Sequence, residues 1–229
     1  MSRRTYRQYC ATARALDVVG ERWTLLLVRE LLTGPRRFGD LLASLPGMGT
    51  GLLAARLRYL QDEGLAHQVT LPPPARTPAY ALTEAGVELE PVVLALARWG
   101  LTWALSDREP DEEFRPGWAV LSMQATFDPA AAADLTAVYE FRVDDEVFHA
   151  RVEHGTLDAV HGPAQRPDVV IETTAEVFIE LAAGRLGLAE AARAGTASVT
   201  GDQRAARRLR ALFRRPRPRE RVSVPAERR

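Results

Sequence analysis

The chain contains no lysine: all 30 of its cationic side chains are arginine. A guanidinium is a rigid fork suited to phosphate, but the codon bias of a GC-rich genome yields the same composition, so this absence carries no functional weight. Cysteine is almost as scarce. The single Cys10 excludes an intrachain disulfide framework and fits a reducing compartment. No apolar run approaches the roughly 20 residues of a membrane helix, and the Arg-bearing N-terminus (Arg3, Arg4, Arg7) lacks the apolar stretch of a secretory signal. A cytoplasmic protein without a membrane partner is expected. No Gly-rich phosphate loop or nucleophile motif occurs. His149, His154 and His161 fall in one hairpin region, but strand alternation does not bring them together. Catalytic residues, a metal and a cofactor are therefore not expected, nor is an enzyme.

What is present is enough apolar material for two modest cores, 46% of 229 residues. The zero net charge is only an average. Residues 1–105 carry 12 Arg against 9 acids, residues 106–213 carry 11 against 19, and residues 214–229 carry 7 against 2. Only the front and the tail would welcome phosphate.

The front reads as mostly helical. A helix through Ala13–Val19 precedes a second at Trp23–Leu32, apolar on nearly all sides and stopped by Gly34-Pro35. Between Pro35 and Gly64, Phe38, Leu41, Leu42 and Leu45 share one helical face, Pro46-Gly47-Met48-Gly49 breaks it, and Leu53, Leu57 and Leu60 restart the period. Two short helices around a tight Gly-containing turn are the pattern of a helix-turn-helix, whose second helix is sized for a DNA major groove. Strands at Ala66–Leu71 and Ala79–Leu82 then flank a stiff Pro-rich loop, the position of a wing. Thr83 is expected to cap one long helix with Glu84 in its first turn. On that helix Val92, Val93, Leu96, Trp99 and Trp103 recur over more turns than a small domain can cover, which suits a helix shared between two subunits. Val92, Leu96, Trp99 and Trp103 are the expected dimer contacts.

With Leu53, Leu57 and Leu60 turned inward, a helical wheel sends Gly51, Ala55, Arg58, Tyr59 and Asp62 outward. Arg58 is the candidate for a base edge, and Arg56, beside the apolar stripe, for a phosphate. Thr50, Gly51 and Tyr59 complete the expected groove-facing set. Arg36, Arg37 and Arg76 are candidates for flanking backbone contacts.

The ordered motifs Ala15-Leu16-Asp17-Val18-Val19-Gly20, Arg22-Trp23-Thr24, Arg29-Glu30-Leu31, Gly34-Pro35-Arg36-Arg37-Phe38, Leu45-Pro46-Gly47, Glu63-Gly64-Leu65 and Tyr80-Ala81-Leu82-Thr83-Glu84-Ala85-Gly86 resemble the HxlR-type winged helix-turn-helix regulators over about residues 8–104. The resemblance implies a homodimer on an inverted-repeat operator in double-stranded DNA, with dimer contacts from the N-terminal helix and the helix after the wing. The family's usual Ser or Thr and Pro at the start of the recognition helix are replaced by Gly49-Thr50-Gly51, so the cap falls on Gly49 or on Thr50. Cys10 stands where several members carry an oxidant- or electrophile-sensing cysteine, and Arg7 and Arg14 could lower its pKa. It is followed by Ala11, however, in place of the family's usual proline.

Ser106–Gly117, rich in acids and proline, reads as a linker. Beyond it, Tyr139, Phe141 and Val143 alternate with polar residues, Asp144-Asp145 turns the chain, and Phe148, Ala150 and Val152 alternate again. Val169–Ile171 reads as a third strand, and Thr173 with Glu176 as a capping box. A helix around Leu188–Arg193, a strand at Ala197–Thr200 and a helix from Asp202 through Phe213 follow. The order of these elements, with Pro167-Asp168 and Gly201-Asp202, resembles a sterol-carrier-protein-type domain. That resemblance implies an apolar tunnel and a small apolar ligand, with Phe141, Phe148, Val170, Phe178 and Leu181 as pocket candidates. The Arg- and Pro-rich tail is expected to be disordered.

The fold class expected is α+β. Residues 1–105 form a winged helix-turn-helix DNA-binding and dimerisation domain, 106–117 a linker, 118–213 a sterol-carrier-like effector domain, and 214–229 a basic tail. The expected function is a dimeric transcriptional regulator, a repressor, controlled by a small apolar effector. The alternative is sensing through Cys10, with the second domain a lipid-binding or dimer-stabilising module not linked to DNA binding.

Overall fold

A computed structural model describes residues 5–105, 108, 112–214 and 216. Residues 106, 107 and 109–111 of the expected linker, and all of the expected tail apart from 214 and 216, lie outside the described residues. The chain divides into two compact units, Met1–Val93 and Leu94–Arg229.

In the first unit, α1 (Ala11–Val19) ends at Gly20, whose N–H donates to the Leu16 carbonyl at 2.9 Å. A Cβ on Gly20 would overlap that oxygen. Helix α2 (Thr24–Leu32) buries Leu27, Val28 and Leu31, which makes it the central helix of the unit. Helices α3 (Phe38–Ala43) and α4 (Thr50–Asp62) enclose the turn at Gly47, which has φ +84. Leu41, Leu45, Leu53, Leu57 and Leu60 are all buried, as the period of the sequence requires. Strands β1 (Ala66–Thr70) and β2 (Pro78–Leu82) pair antiparallel from Ala66 opposite Leu82 to Thr70 opposite Pro78. Arg36 pairs with the other edge of β2, exchanging both backbone hydrogen bonds with Tyr80 at 3.0 and 2.8 Å.

The single long helix expected after the wing is two helices. Helix α5 (Glu84–Val87) is capped by the Thr83 hydroxyl, which accepts from Gly86 N–H, and α6 (Glu90–Trp103) begins three residues later. Pro91 is the physical reason. It has no N–H to give to Val87, so it interrupts the ladder there and is tolerated in the first turn of a new helix.

The second unit opens with a short 3-10 turn at Pro116–Trp118 and α7 (Ala119–Thr126). Strands β3 (Thr136–Val143), β4 (Glu146–Glu153), β5 (Thr156–His161) and β6 (Val169–Thr173) follow, then α8 (Ala175–Ala183), α9 (Leu188–Ala194), β7 (Ala197–Gly201) and α10 (Gln203–Leu212). The five strands lie in the order β5-β4-β3-β6-β7, with β3 and β6 parallel and the other pairs antiparallel. One face of the sheet carries Tyr139, Phe141, Phe148, Ala150, Val169 and Ile171 into a continuous core. Asp168 and Gly201 lock its start. Asp168 exchanges backbone and side-chain hydrogen bonds with Val138, all at 2.8 Å, and its carbonyl accepts from Asp202 N–H at 2.8 Å. Gly201, at φ +93, leaves the space this carbonyl occupies, since a Cβ there would overlap it.

Two local expectations are corrected. The cap of α8 is the Thr174 hydroxyl, which accepts from Val177 N–H at 3.4 Å. Thr173, still in β6, instead donates to the Thr196 carbonyl at 2.9 Å. The other sheet face is also not simply wet. Glu140 is 2% exposed, held by a forked contact from Arg142 at 2.8 Å and by Ala164 N–H at 2.8 Å. The β5–β6 connection crosses this face and buries it.

Candidate nucleic-acid interface

Helix α4 is the element on which the expected DNA contacts converge. It starts at Thr50 with Gly49 as its cap; Gly49 has no side chain to contribute, and its carbonyl accepts from Leu53 N–H at 3.0 Å. Of the two caps left open by the sequence, this is the one observed. Thr50, Gly51, Ala55 and Arg58 are exposed along the outward face. No hydrogen bond or ion pair among the described residues engages the Arg58 head group.

The other two groove candidates on α4 turn toward the α1–α2 corner. Arg56 donates to Glu21 at 2.9 Å, and its side chain is only 16% exposed. Its Nε is buried without a partner. Tyr59 donates its hydroxyl to the Asp17 carbonyl at 3.2 Å. Asp17 in turn accepts from Thr5 Oγ1 and Tyr6 N–H, each at 2.8 Å. Asp17 of α1 and Glu21 at the α1–α2 corner fix α4 in place, and neither carries a local sequence signal for that role. They sit 42 and 35 residues from their partners, so no local pattern reports them.

Of the flanking arginines, Arg37 is exposed ahead of α3 and Arg76 is exposed in the wing loop, at φ +40. Arg36 is half-buried and donates to Thr33 Oγ1 at 3.0 Å.

On α6, Val92, Leu96 and Trp99 are 44%, 50% and 55% exposed, an apolar row at helical spacing, while Trp103 is half-buried. Tyr9, ahead of α1, is fully exposed. Cys10 is exposed and free at the N-terminal end of α1. Its thiol is pulled below its ordinary pKa by the backbone N–H groups of Ala13 and Thr12. The arginines invoked from sequence are not the cause. Arg7 lies off the helix in a left-handed conformation, and Arg14 lies 4.0 Å from Asp17.

In the second unit the effector candidates do not share one surface. Phe141 and Phe148 stack at 5.0 Å, and Phe178 meets both edge-on at 6.2 and 5.7 Å. Phe114 lies over Phe178 at 6.4 Å. These rings fill the core with one another. Val170 pairs with Glu140 and Thr200 on the opposite sheet face, and Leu181 is half-buried on α8. Among the described residues no three His, Cys, Asp or Glu side chains are placed to hold a metal ion, and no helix is long and apolar enough to cross a membrane.

Residues 18–108 match the HxlR-like helix-turn-helix family, and residues 121–214 match the SCP-2 sterol transfer family. The HTH-type transcriptional regulator sll1512 of Synechocystis sp. is 36% identical over 94 residues, 41% of this chain and 70% of that protein. The regulator Rv3095 of Mycobacterium tuberculosis is 43% identical over 90 residues, 39% of this chain and 56% of that one. Among solved structures, the reduced form of the transcriptional regulator YodB from B. subtilis is 29% identical, with a TM-score of 0.36, and the match covers 41% of this chain and 92% of that one.

Proposed function

The chain belongs to the HxlR-like helix-turn-helix family, and on that premise we propose that it acts as a homodimeric repressor that reads an inverted-repeat operator through α4. The chain is a transcriptional regulator with a helix-turn-helix DNA-binding domain followed in sequence by an SCP-2 domain. The observation that carries this proposal is Arg58, whose guanidinium has no hydrogen bond or ion pair among the described residues and lies on the exposed face of a helix whose reverse face is core. Arg58 reads a base edge, where a bidentate contact discriminates by about 1–3 kcal/mol. Arg37 and Arg76 contact phosphates on either side. Arg36 and Arg56 support that contact with the donors that Thr33 and Glu21 leave over. Val92, Leu96, Trp99 and Trp103 of α6 meet their counterparts in a second copy, removing an apolar row that a monomer leaves in water.

Binding measured against a genomic library of fragments tests this reading. Arg58→Ala is expected to weaken the selected site more than random DNA, whereas Arg56→Ala weakens both alike. Equal losses for Arg58→Ala would remove it from base readout.

A small apolar effector in the second domain is supported by the SCP-2 match and by the aromatic core. Phe178, which meets Phe114, Phe141 and Phe148, is the ring that a ligand entering this core contacts. Titration with a fluorescent fatty acid tests it, with Phe178→Ala expected to alter the uptake.

A second reading, sensing through Cys10, is favoured by the position of the thiol at a helix N-terminus, where backbone N–H groups stabilise a thiolate. Cys10→Ser would then leave DNA binding intact and abolish its response to a quinone or hypochlorite. A response retained in that variant would exclude Cys10 as the sensor.

A further inference from the structure

Helix α10 is chemically unlike the domain it closes. Residues 106–213 hold 11 Arg against 19 acids, yet four of those arginines, Arg204, Arg207, Arg208 and Arg210, fall within ten residues that contain no acid. Their surroundings divide them. Arg208 is fully engaged, with a fork onto Asp134 at 3.0 and 2.7 Å and a bond to the Ala131 carbonyl at 2.7 Å. Arg204, Arg207 and Arg210 are exposed, and no hydrogen bond or ion pair engages their head groups among the described residues. The inward side of the helix is fixed. Ala205, Ala206 and Leu212 are buried, and Tyr139 donates its hydroxyl to the Ala205 carbonyl at 2.9 Å. The arginines therefore cannot roll out of sight.

Local physics does not favour this arrangement in the free protein. Cations three and four residues apart on a helix repel; Asp202 caps the first turn and Asp134 acts on Arg204 and Arg208, which leaves the repulsion along Arg204, Arg207 and Arg210 only partly answered. An external polyanion relieves the rest. We infer that Arg204, Arg207 and Arg210 form a second phosphate-binding surface that grips the backbone of duplex DNA without reading its sequence. The inference rests on the DNA-binding reading of the chain and extends it to the other domain. Six residues of helix rise about 9 Å, against one phosphate per roughly 3.4 Å of each DNA strand, so the row spans two to three phosphates. A membrane surface is the poorer fit. An interfacial helix sinks a free apolar face among the headgroups, and here that face is occupied by the domain core.

The test uses the full-length chain and a variant with Arg204→Gln, Arg207→Gln and Arg210→Gln, since glutamine keeps helix propensity. Binding to a random-sequence duplex of about 20 base pairs, the reach of two recognition helices, and to one about twice as long is followed from low to physiological salt. The expected result is an unchanged melting temperature and a slope of log affinity against log salt that is shallower by about 2 to 3 on the longer duplex. An unchanged slope on both duplexes, with wild-type binding intact, overturns the inference alone. Failure of the wild type to bind either duplex overturns the DNA-binding reading beneath it as well. Loss of binding to phosphatidylglycerol vesicles by the variant, with DNA binding unaltered, assigns the surface to lipid and also overturns it.

Discussion

Arg56 of the recognition helix and Glu21 at the α1–α2 corner hold each other at 2.9 Å across 35 residues of chain. The arginine side chain is 16% exposed and the glutamate 45%. Glu21→Ala is expected to lower stability by about 1 kcal/mol, the upper end for a partly exposed pair, because it leaves a half-buried guanidinium without its acceptor. Chemical denaturation measures this, and a double-mutant cycle with Arg56→Met isolates the pair. A coupling near zero would mean that the contact contributes nothing to holding α4.

Tyr139 gives a pH-dependent handle on the second domain. It is completely buried, and burial pushes its phenol up to about 12 from the model-peptide value of 10.0. Between these values the unfolded chain releases the proton while the folded chain keeps it. Stability is therefore intact below pH 10 and falls as pH rises toward 12, by up to about 1.4 kcal/mol per pH unit. Tyr139→Phe should lose about 1 kcal/mol at neutral pH, from the hydrogen bond to Ala205, and should flatten this alkaline slope. A wild-type slope that persists in Tyr139→Phe would assign it to another group.

Gly201→Ala places a methyl where the Asp168 carbonyl sits, at a residue with φ +93. Overlap and left-handed strain together should cost more than about 2 kcal/mol. Thermal unfolding followed through the tryptophans tests it. Gly51→Ala, with open space around the Cβ, should instead gain a few tenths up to about 1 kcal/mol of helix stability.

The exposed row on α6 predicts a change in assembly. Leu96→Glu with Trp99→Glu should convert a dimer to a monomer in analytical ultracentrifugation and weaken binding to an inverted repeat more than to a half-site. A monomeric wild type would place the dimer contact elsewhere or remove it.

The parts of the fold that could be read from sequence were those whose determinants are local. Leu53, Leu57 and Leu60 declare α4, and the Tyr139–Val152 alternation declares the β3–β4 hairpin, because one face of each meets a core. Helix α7 has no periodic signature because Ala119, Val120, Leu121, Met123 and Ala125 are all buried, and a helix covered on most sides has no polar stripe to set a period. Strand β5 was hidden by its mixture of half-buried residues at a sheet edge. At the candidate site, the exposure of Arg58 followed from the wheel alone. The engagement of Arg56 and Tyr59 did not, since their partners, Glu21 and Asp17, are far away in sequence. The same holds for Glu140, which reads as a solvent-facing alternate until the β5–β6 connection closes over it.

The rung between Arg36 and Tyr80 joins the start of α3 to the second strand of the wing. A hairpin clamped at its base by a third strand bends only beyond its last hydrogen-bonded pair. The wing therefore behaves as a short cantilever whose compliant part lies beyond the Leu71–Thr77 hydrogen bond, from Pro72 to Arg76. Its stiffness is set at Arg36, in the segment leading into α3, so a proline at position 36, which would remove one of the two bonds to Tyr80, should loosen a loop some forty residues downstream without touching it.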